Sequence, residues 1–239
     1  MWAIKQERSE ARSESPYPSL SPQAPTNVII VANFGTRVQR YATRFRSLTF
    51  PKPQGCPRCA ACGHLIGHGS YPRHVCDHNE ALVIRVKRFL CTICRHTVSL
   101  LPSFCLPYRW YGAAVIQSVL DLRFQQQASW ATICRHCAPF DLPVLSTLRD
   151  WVGCFARTAD RALASMLQQL AVWQREPGKL ELLLAELGAR PKGPAQLLAA
   201  VPHLVVWLRE SGFAVPEGVR RWLPTLTRWG YAVKLGRLI

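Results

Sequence analysis

The sequence predicts an α+β protein in which a small β region rich in cysteine precedes a mainly α-helical region. The first observation is that residues 55–106 hold seven of the ten cysteines and enclose a strand-like segment, residues 81–90. In that segment apolar and basic side chains alternate with a period of two, which is typical of a half-buried strand. The second observation is that from Tyr111 onward apolar residues recur at helical spacing, for example at Val115 and Val119.

The composition divides the chain into four predicted segments. Residues 1–26 are rich in Ser, Pro, Glu and Arg and predict a disordered leader, or translated sequence ahead of the true start. Residues 27–106 form the predicted β domain, and residues 107–158 form a first helical region. Residues 159–239 form a second helical region, rich in Leu and Ala, whose role the sequence does not indicate.

Local patterns place further elements within these segments. Residues 28–32, VIIVA, predict a buried strand, and the alternation of arginine with apolar residues over 37–50 indicates a short basic helix or loop. Ser129 is a suitable N-cap for one helix of the first helical region, and Asp141 is suitable for the next.

The charge of the chain is strongly positive and points to a polyanionic partner. Thirty Lys and Arg against fourteen Asp and Glu give a formal charge of +16. Such an excess favours nucleic acid, because each neutralised phosphate releases counterions. The N-terminus lacks the apolar core of a signal peptide, and the longest apolar run, residues 197–208, is too short to span a bilayer. We therefore expect a cytoplasmic protein that has no membrane partner.

Two C-x-x-C pairs predict a zinc site. Cys56 and Cys59 form the first pair, and Cys91 and Cys94 form the second, directly after the predicted strand. Zinc takes four ligands in a tetrahedron, and paired C-x-x-C turns supply these ligands two at a time. The 31 residues between the pairs are enough for two strands and their turns, as in a zinc ribbon.

The first pair has a rival because Cys59 and Cys62 also form a C-x-x-C pair. A glycine often follows the second cysteine of such a turn, where the backbone φ is positive. Gly63 follows Cys62, whereas an alanine follows Cys59. Pro57 favours a rigid turn between Cys56 and Cys59, so we prefer that pair and keep Cys59 with Cys62 as the alternative.

These motifs resemble a known family. The runs CPRCAACGHLIGHGSYPRH and VIRVKRFLCTICRHTVSLLPSFCLPYRWYGAAVIQSVL are similar to the zinc-binding N-terminal region of bacterial transposases and of the related DUF6431 proteins. The later run ATICRHCAPFDLPVLSTLRDWVGCF resembles the helix-turn-helix that follows the ribbon in such proteins, so the likeness covers about residues 28–158. It implies that Cys56, Cys59, Cys91 and Cys94 bind Zn²⁺ and that both regions bind DNA. Ala60 and Arg95 depart from the pattern, which favours glycine after each pair.

The second helix of a helix-turn-helix enters the major groove through its N-terminal part. An inward stripe is expected at Leu145, Leu148, Val152 and Phe155. That arrangement leaves Ser146, Thr147 and Arg149 to face DNA, where Arg149 would contact either guanine or phosphate. The candidates for phosphate contacts on the ribbon are Arg73, Arg85, Lys87 and Arg88.

The sequence contains no recognisable cluster of carboxylates that would indicate a catalytic core. Metal-dependent transposases need such a cluster for strand cleavage, whereas after Phe155 the acidic residues are scattered along predicted helices. The sequence therefore predicts a nucleoid-associated DNA-binding protein related to transposases, an accessory or remnant without its own catalytic core. Two alternatives stay open. One is a transcriptional regulator of the same build, and the other is a transposase or nuclease whose carboxylates are not recognised.

Overall fold

A computed structural model describes residues 28–35, 37–78, 80–137, 143–173, 177–212, 215 and 218–232. The predicted leader and the predicted cap Asp141 lie outside these residues. The strands are β1 (Val28–Ala32), β2 (Leu65–Cys76), β3 (Ala81–Cys91) and β4 (Thr97–Pro102). The α-helices are α1 (Val38–Arg44), α2 (Ala113–Phe124), α3 (Trp130–Cys137), α4 (Leu145–Trp173), α5 (Pro177–Gly188), α6 (Pro194–Glu210) and α7 (Trp222–Ala232). The described part is thus a mixed α/β protein.

The four strands form one sheet in the order β1-β4-β3-β2. β2 and β3 form a long antiparallel hairpin, β3 and β4 are also antiparallel, and β1 lies parallel to β4. The strands predicted at 28–32 and 81–90 are confirmed, but the first is mostly half-buried and not buried as expected, since only Val31 is buried. The sheet extends beyond the two strands expected between the cysteine pairs, because β4 and its parallel partner β1 join it.

Each face of the sheet carries its own apolar cluster, because successive side chains of a strand point to opposite faces. The cysteine face carries Phe89, Cys91, Val98 and Leu100, together with the buried Cys56 and Leu65. The α1 face carries Ile84, Val86 and Leu101, and it is covered by Val38 and Tyr41 of α1. The Tyr41 hydroxyl donates a hydrogen bond of 2.9 Å to the carbonyl of Arg85 and so fixes the helix on the sheet.

The helices from α2 to α7 share one apolar core, which runs from Leu106 to Trp229. Helix α4 is its longest element, with 29 residues, and its buried residues include Leu148, Trp151 and Phe155. The boundary predicted between residues 158 and 159 lies inside this continuous helix. In the described part of the chain, no helix is long and apolar enough to cross a membrane.

A buried polar contact joins the first and last helices of this core. The side chain of Gln117, on α2, is 7% exposed. Its Nε2 donates to the carbonyl of Arg220 at 2.8 Å, and its Oε1 accepts from the N–H of Leu223 at 3.1 Å. One turn along α2, Asp121 accepts a hydrogen bond of 2.8 Å from the indole of Trp222. Both polar side chains are thus satisfied where they are buried, as a stable interior requires.

Candidate metal centre and basic surfaces

The β2–β3 hairpin brings the two C-x-x-C pairs together. The first pair lies just before β2 and the second begins at the last residue of β3. Because the strands are antiparallel, the start of β2 lies beside the end of β3, and Leu65 pairs with Cys91. The N–H of Thr92 also donates to the carbonyl of His64 at 2.9 Å, which ties the two ends of the hairpin. The 31-residue separation in sequence is therefore closed by local strand pairing.

The four sulfur atoms of Cys56, Cys59, Cys91 and Cys94 lie within 4.8 Å of one another. The Sγ atoms of Cys56 and Cys94 are 3.6 Å apart, and those of Cys59 and Cys91 are 3.7 Å apart. Four thiolates at about 2.3 Å from a tetrahedral zinc ion would be about 3.8 Å apart. The donor set and the spacing therefore fit a metal ion and are consistent with zinc. Among the described residues, this is the one group of three or more Cys, His, Asp or Glu side chains close enough to hold a metal.

The two C-x-x-C turns have the same backbone structure. In the first, the N–H of Ala60 donates to the carbonyl of Cys56 at 2.8 Å, and in the second, the N–H of Arg95 donates to that of Cys91 at 2.9 Å. Ala60 has a φ of +58° and Arg95 a φ of +59°. Left-handed backbone at a residue other than glycine is uncommon and costs about 1–2 kcal/mol. Ala60 and Arg95 thus adopt the left-handed conformation that a glycine at these positions would adopt.

Cys62 lies outside the cluster, so the alternative pair of Cys59 with Cys62 does not agree with the structure. The Cys62 side chain is exposed, and its Sγ lies 3.6 Å from the carbonyl of Ala60. Gly63 does have a positive φ, of +78°, and its N–H donates to the carbonyl of Gln54 at 3.1 Å. The positive φ at Gly63 therefore closes the loop around the first turn and does not mark a ligand.

His96 connects the two turns, a role that the sequence did not indicate. Its Nδ1–H donates to the carbonyl of Cys94 at 2.6 Å, which leaves Nε2 to accept a hydrogen bond from Arg58. Arg58 lies inside the first C-x-x-C turn, and His96 follows the second. The position of a histidine two residues after the last cysteine is the only sequence signal for this contact.

The thiols of the second pair differ in acidity. The backbone N–H of Cys94, helped by that of Ile93 and opposed by burial, lowers the pKa of the Cys91 thiol to about 7. For Cys94, a hydrogen bond from the backbone of His96 lowers the pKa, but desolvation and the neighbouring thiols outweigh it and raise the pKa to about 12. Ionised thiols of Cys91 and Cys94 would repel each other, because like charges at this distance disfavour the doubly charged state.

Positive charge is concentrated in the sheet and the segments that flank it. Residues 28–120 contain twelve Lys and Arg side chains but only two carboxylates, those of Asp77 and Glu80. Residues 28–76 contain no acidic residue at all. Residues 28–120, which include the cysteine centre and the sheet, thus carry a net charge of +10 out of the +16 of the whole chain.

The four basic residues predicted on the hairpin lie on two different faces. Arg85 and Lys87 are on the cysteine face, where Arg85 is exposed and the Lys87 ammonium lies 5.9 Å from the ring of Phe89. Arg73 and Arg88 are on the α1 face. Arg88 lies over the ring of Tyr71 at 5.4 Å.

Arg73 is half-buried, and its guanidinium binds backbone carbonyls. Its Nη2 donates to the carbonyls of Leu106 and Arg109, both at 2.7 Å, and its Nε is buried. Its guanidinium therefore holds the segment between β4 and α2 against the hairpin, which favours a structural role for Arg73.

The N-terminal turn of α4 exposes most of the predicted contact residues. Ser146 and Arg149 are exposed, and Thr147 is half-buried. Of the expected inward stripe, Leu148 and Phe155 are buried, while Leu145 and Val152 are half-buried.

A tryptophan of α3 supports Arg149, and the sequence did not predict this contact. The guanidinium carbon of Arg149 lies 5.6 Å from the ring centre of Trp130, and that of Arg123 lies 5.2 Å from it. Such cation–π contacts orient the arginine side chains without neutralising them.

The fold and the centre define a mixed α/β protein in which a sheet hairpin carries four clustered cysteines that could hold a metal ion. The model of one family, described as Domain of unknown function (DUF6431), matches residues 56–137. The match extends from the first cysteine of the cluster through the last residue of α3 and covers about a third of the chain. Comparisons with curated proteins and with solved structures gave no match.

Proposed function

We propose that this protein is a zinc-dependent DNA-binding protein related to transposases, and that it acts as an accessory or remnant without its own catalytic core. The observation that carries the proposal is the combination of a four-cysteine centre with the composition of residues 28–120, which hold twelve basic side chains and only two carboxylates. A tetrathiolate zinc ion would fix the hairpin, and the hairpin presents Arg85 and Lys87. The DUF6431 match over residues 56–137 includes all four cysteines of the cluster.

Zinc has a structural role in this proposal. All four positions of the tetrahedron are filled by cysteine, whereas catalytic zinc sites keep one position open for water or substrate. Cys91 is fully buried and Cys56 is 2% exposed, so metal binding joins the two turns and the apolar cluster of the cysteine face. Removal of the ion would loosen the hairpin that carries the basic residues.

DNA would contact two surfaces. The first is the cysteine face, through Arg85 and Lys87, and the second is the N-terminal turn of α4, through Ser146, Thr147 and Arg149. Helices α3 and α4 follow each other in the order that a helix-turn-helix requires, with α4 as the helix that enters the major groove. Trp130 would hold Arg149 in place for a base or phosphate contact. DNA binding of this kind is consistent with an association with the nucleoid.

The proposal can be tested by measuring bound zinc and DNA affinity over a range of salt concentrations. We expect one zinc ion per chain and an affinity for duplex DNA that falls as salt rises, because released counterions drive binding. The double variant Arg85→Gln/Lys87→Gln should bind more weakly with a smaller salt dependence, while Arg190→Gln, which removes a charge already paired with Glu186, should behave as the wild type. A protein without zinc, or one that binds no DNA, would refute the proposed function.

A further inference from the structure

We infer that a cleft beside α1, lined by Arg37, Arg40 and Arg44, binds backbone phosphates of the duplex DNA. This inference rests on the proposed function and adds a third contact surface to it, distinct from the hairpin and from α4. Arg40 follows Arg37 by three residues, and Arg44 follows Arg40 by four. Arg40 and Arg44 lie one turn apart on the same side of α1, and Arg37 directly precedes the helix as its N-cap.

Besides the three arginines, the cleft is lined by Phe34, Gly35, Tyr41 and Leu48. Arg37, Arg40 and Arg44 are all exposed. The cleft thus combines an apolar floor with three guanidinium groups at its wall. This arrangement suits a phosphate and its sugar, since arginine forms paired hydrogen bonds with phosphate oxygens.

Helix α1, which carries Arg40 and Arg44, is held firmly on the sheet. Val38 and Tyr41 are 3% and 2% exposed. The centre of the Tyr41 ring lies 5.3 Å from that of Phe104 and 5.7 Å from that of Phe34. The hydrogen bond from the Tyr41 hydroxyl to Arg85 adds a polar contact on the sheet. A rigid support of this kind lowers the cost of ordering the arginine side chains on binding.

The three arginines have no acidic partner among the described residues. The ion pairs of the described part involve Arg109, Arg190 and His203. The nearest acidic residue along the described chain after Arg44 is Asp77. Three adjacent guanidinium groups repel one another, and an external anion would relieve that repulsion. The charge pattern therefore favours a polyanion over a neutral ligand.

The test compares two double variants that remove the same charge. Arg40→Gln/Arg44→Gln removes two guanidinium groups of the cleft. Arg46→Gln/Lys52→Gln removes two exposed charges nearby that do not line it. Both variants, checked for zinc content and thermal stability, are titrated with a short duplex of arbitrary sequence at several salt concentrations. The slope of log K against log salt is negative, and the cleft variant should reduce its magnitude by about 1.8, because each phosphate contact contributes about 0.9. The control should change the slope much less.

A third variant, Arg40→Lys/Arg44→Lys, keeps both charges and should retain most of the slope. Equal slopes for the cleft variant and the control would overturn the cleft while leaving the proposed function intact. Failure of the wild type to bind the duplex would instead refute the proposed function. If the cleft variant lost binding to vesicles of phosphatidylglycerol but kept its duplex affinity, the cleft would serve a membrane surface and the inference would be wrong.

Discussion

The replacement of Cys91 by serine is the sharpest test of the metal centre. Cys91 is fully buried, ends β3, and its Sγ lies 3.7 Å from that of Cys59. A serine hydroxyl at this position is a poor zinc ligand, so Cys91→Ser should lose the metal. The matched control is Cys62→Ser, which removes an exposed thiol from the same loop without touching the cluster.

The expected loss of stability follows from mass action. A ligand that binds only the folded state, at a free concentration about 1,000 times its Kd, adds about 4 kcal/mol to the free energy of unfolding. For a chain of this size, each kcal/mol changes Tm by about 2–4 °C, so loss of the metal should lower Tm by about 8–16 °C. Cys62→Ser should change the free energy of unfolding by no more than about 0.5 kcal/mol, as an ordinary surface substitution does. Its Tm should therefore stay close to that of the wild type.

The assay combines zinc release with thermal unfolding. A colorimetric chelator, added after the protein is denatured, counts zinc per chain in the wild type and both variants. Thermal unfolding is followed with and without a chelator, and the chelator should destabilise the wild type and Cys62→Ser but not Cys91→Ser. The reasoning is refuted if Cys91→Ser retains one zinc per chain, or if Cys62→Ser loses it.

Three further predictions concern acidity, the position of α1 and the role of one arginine. Zinc affinity should rise with pH, and more steeply below about pH 7, because the thiols of both Cys91 and Cys94 must then release protons. Calorimetry in buffers of different ionisation enthalpy counts those protons. An affinity independent of pH would contradict the assignment of these cysteines as ligands. Tyr41→Phe keeps the ring but removes the hydrogen bond to Arg85, so the free energy of unfolding in urea should fall by about 1 kcal/mol while bound zinc is unchanged. Arg73→Lys keeps the charge but loses the two hydrogen bonds to carbonyls, so it should lower the free energy of unfolding by about 1.5–3 kcal/mol. The salt dependence of DNA binding should be unchanged. A stable variant with a weaker salt dependence would indicate that Arg73 contacts phosphate.

The four clustered cysteines were predictable because their spacing fits a hairpin. Pairs of cysteines at the start of one strand and at the end of its antiparallel neighbour meet whatever the length of the hairpin, so local patterns were sufficient. The choice between Cys56 and Cys62 was harder. It depended on whether Ala60 would adopt a positive φ, and residue preferences argue against that conformation. The hydrogen bonds of the turn impose it.

The extent of the sheet and the roles of individual arginines were not predictable in the same way. The pairing of β1 with β4 joins segments about 70 residues apart, and no local pattern encodes such a contact. Arg73 and Arg85 look alike in sequence, yet their register against β3 and β2 places them on opposite faces. Only the α1 face is covered by α1 and by the segment after β4, so one arginine is anchored and the other is exposed.

Helix α4 has a mechanical consequence for the whole chain. At 1.5 Å per residue, its 29 residues make a rod about 43 Å long. The first turn of this rod carries Ser146 and Arg149, whereas Ala159, Ala162 and Met166, farther along it, are buried in the core that it shares with α6 and α7. A fragment that ends at residue 158 would cut the helix and remove α7, which packs against α2. The surface that we propose for DNA is therefore supported from the far end of the molecule, and the C-terminal helices contribute to its rigidity.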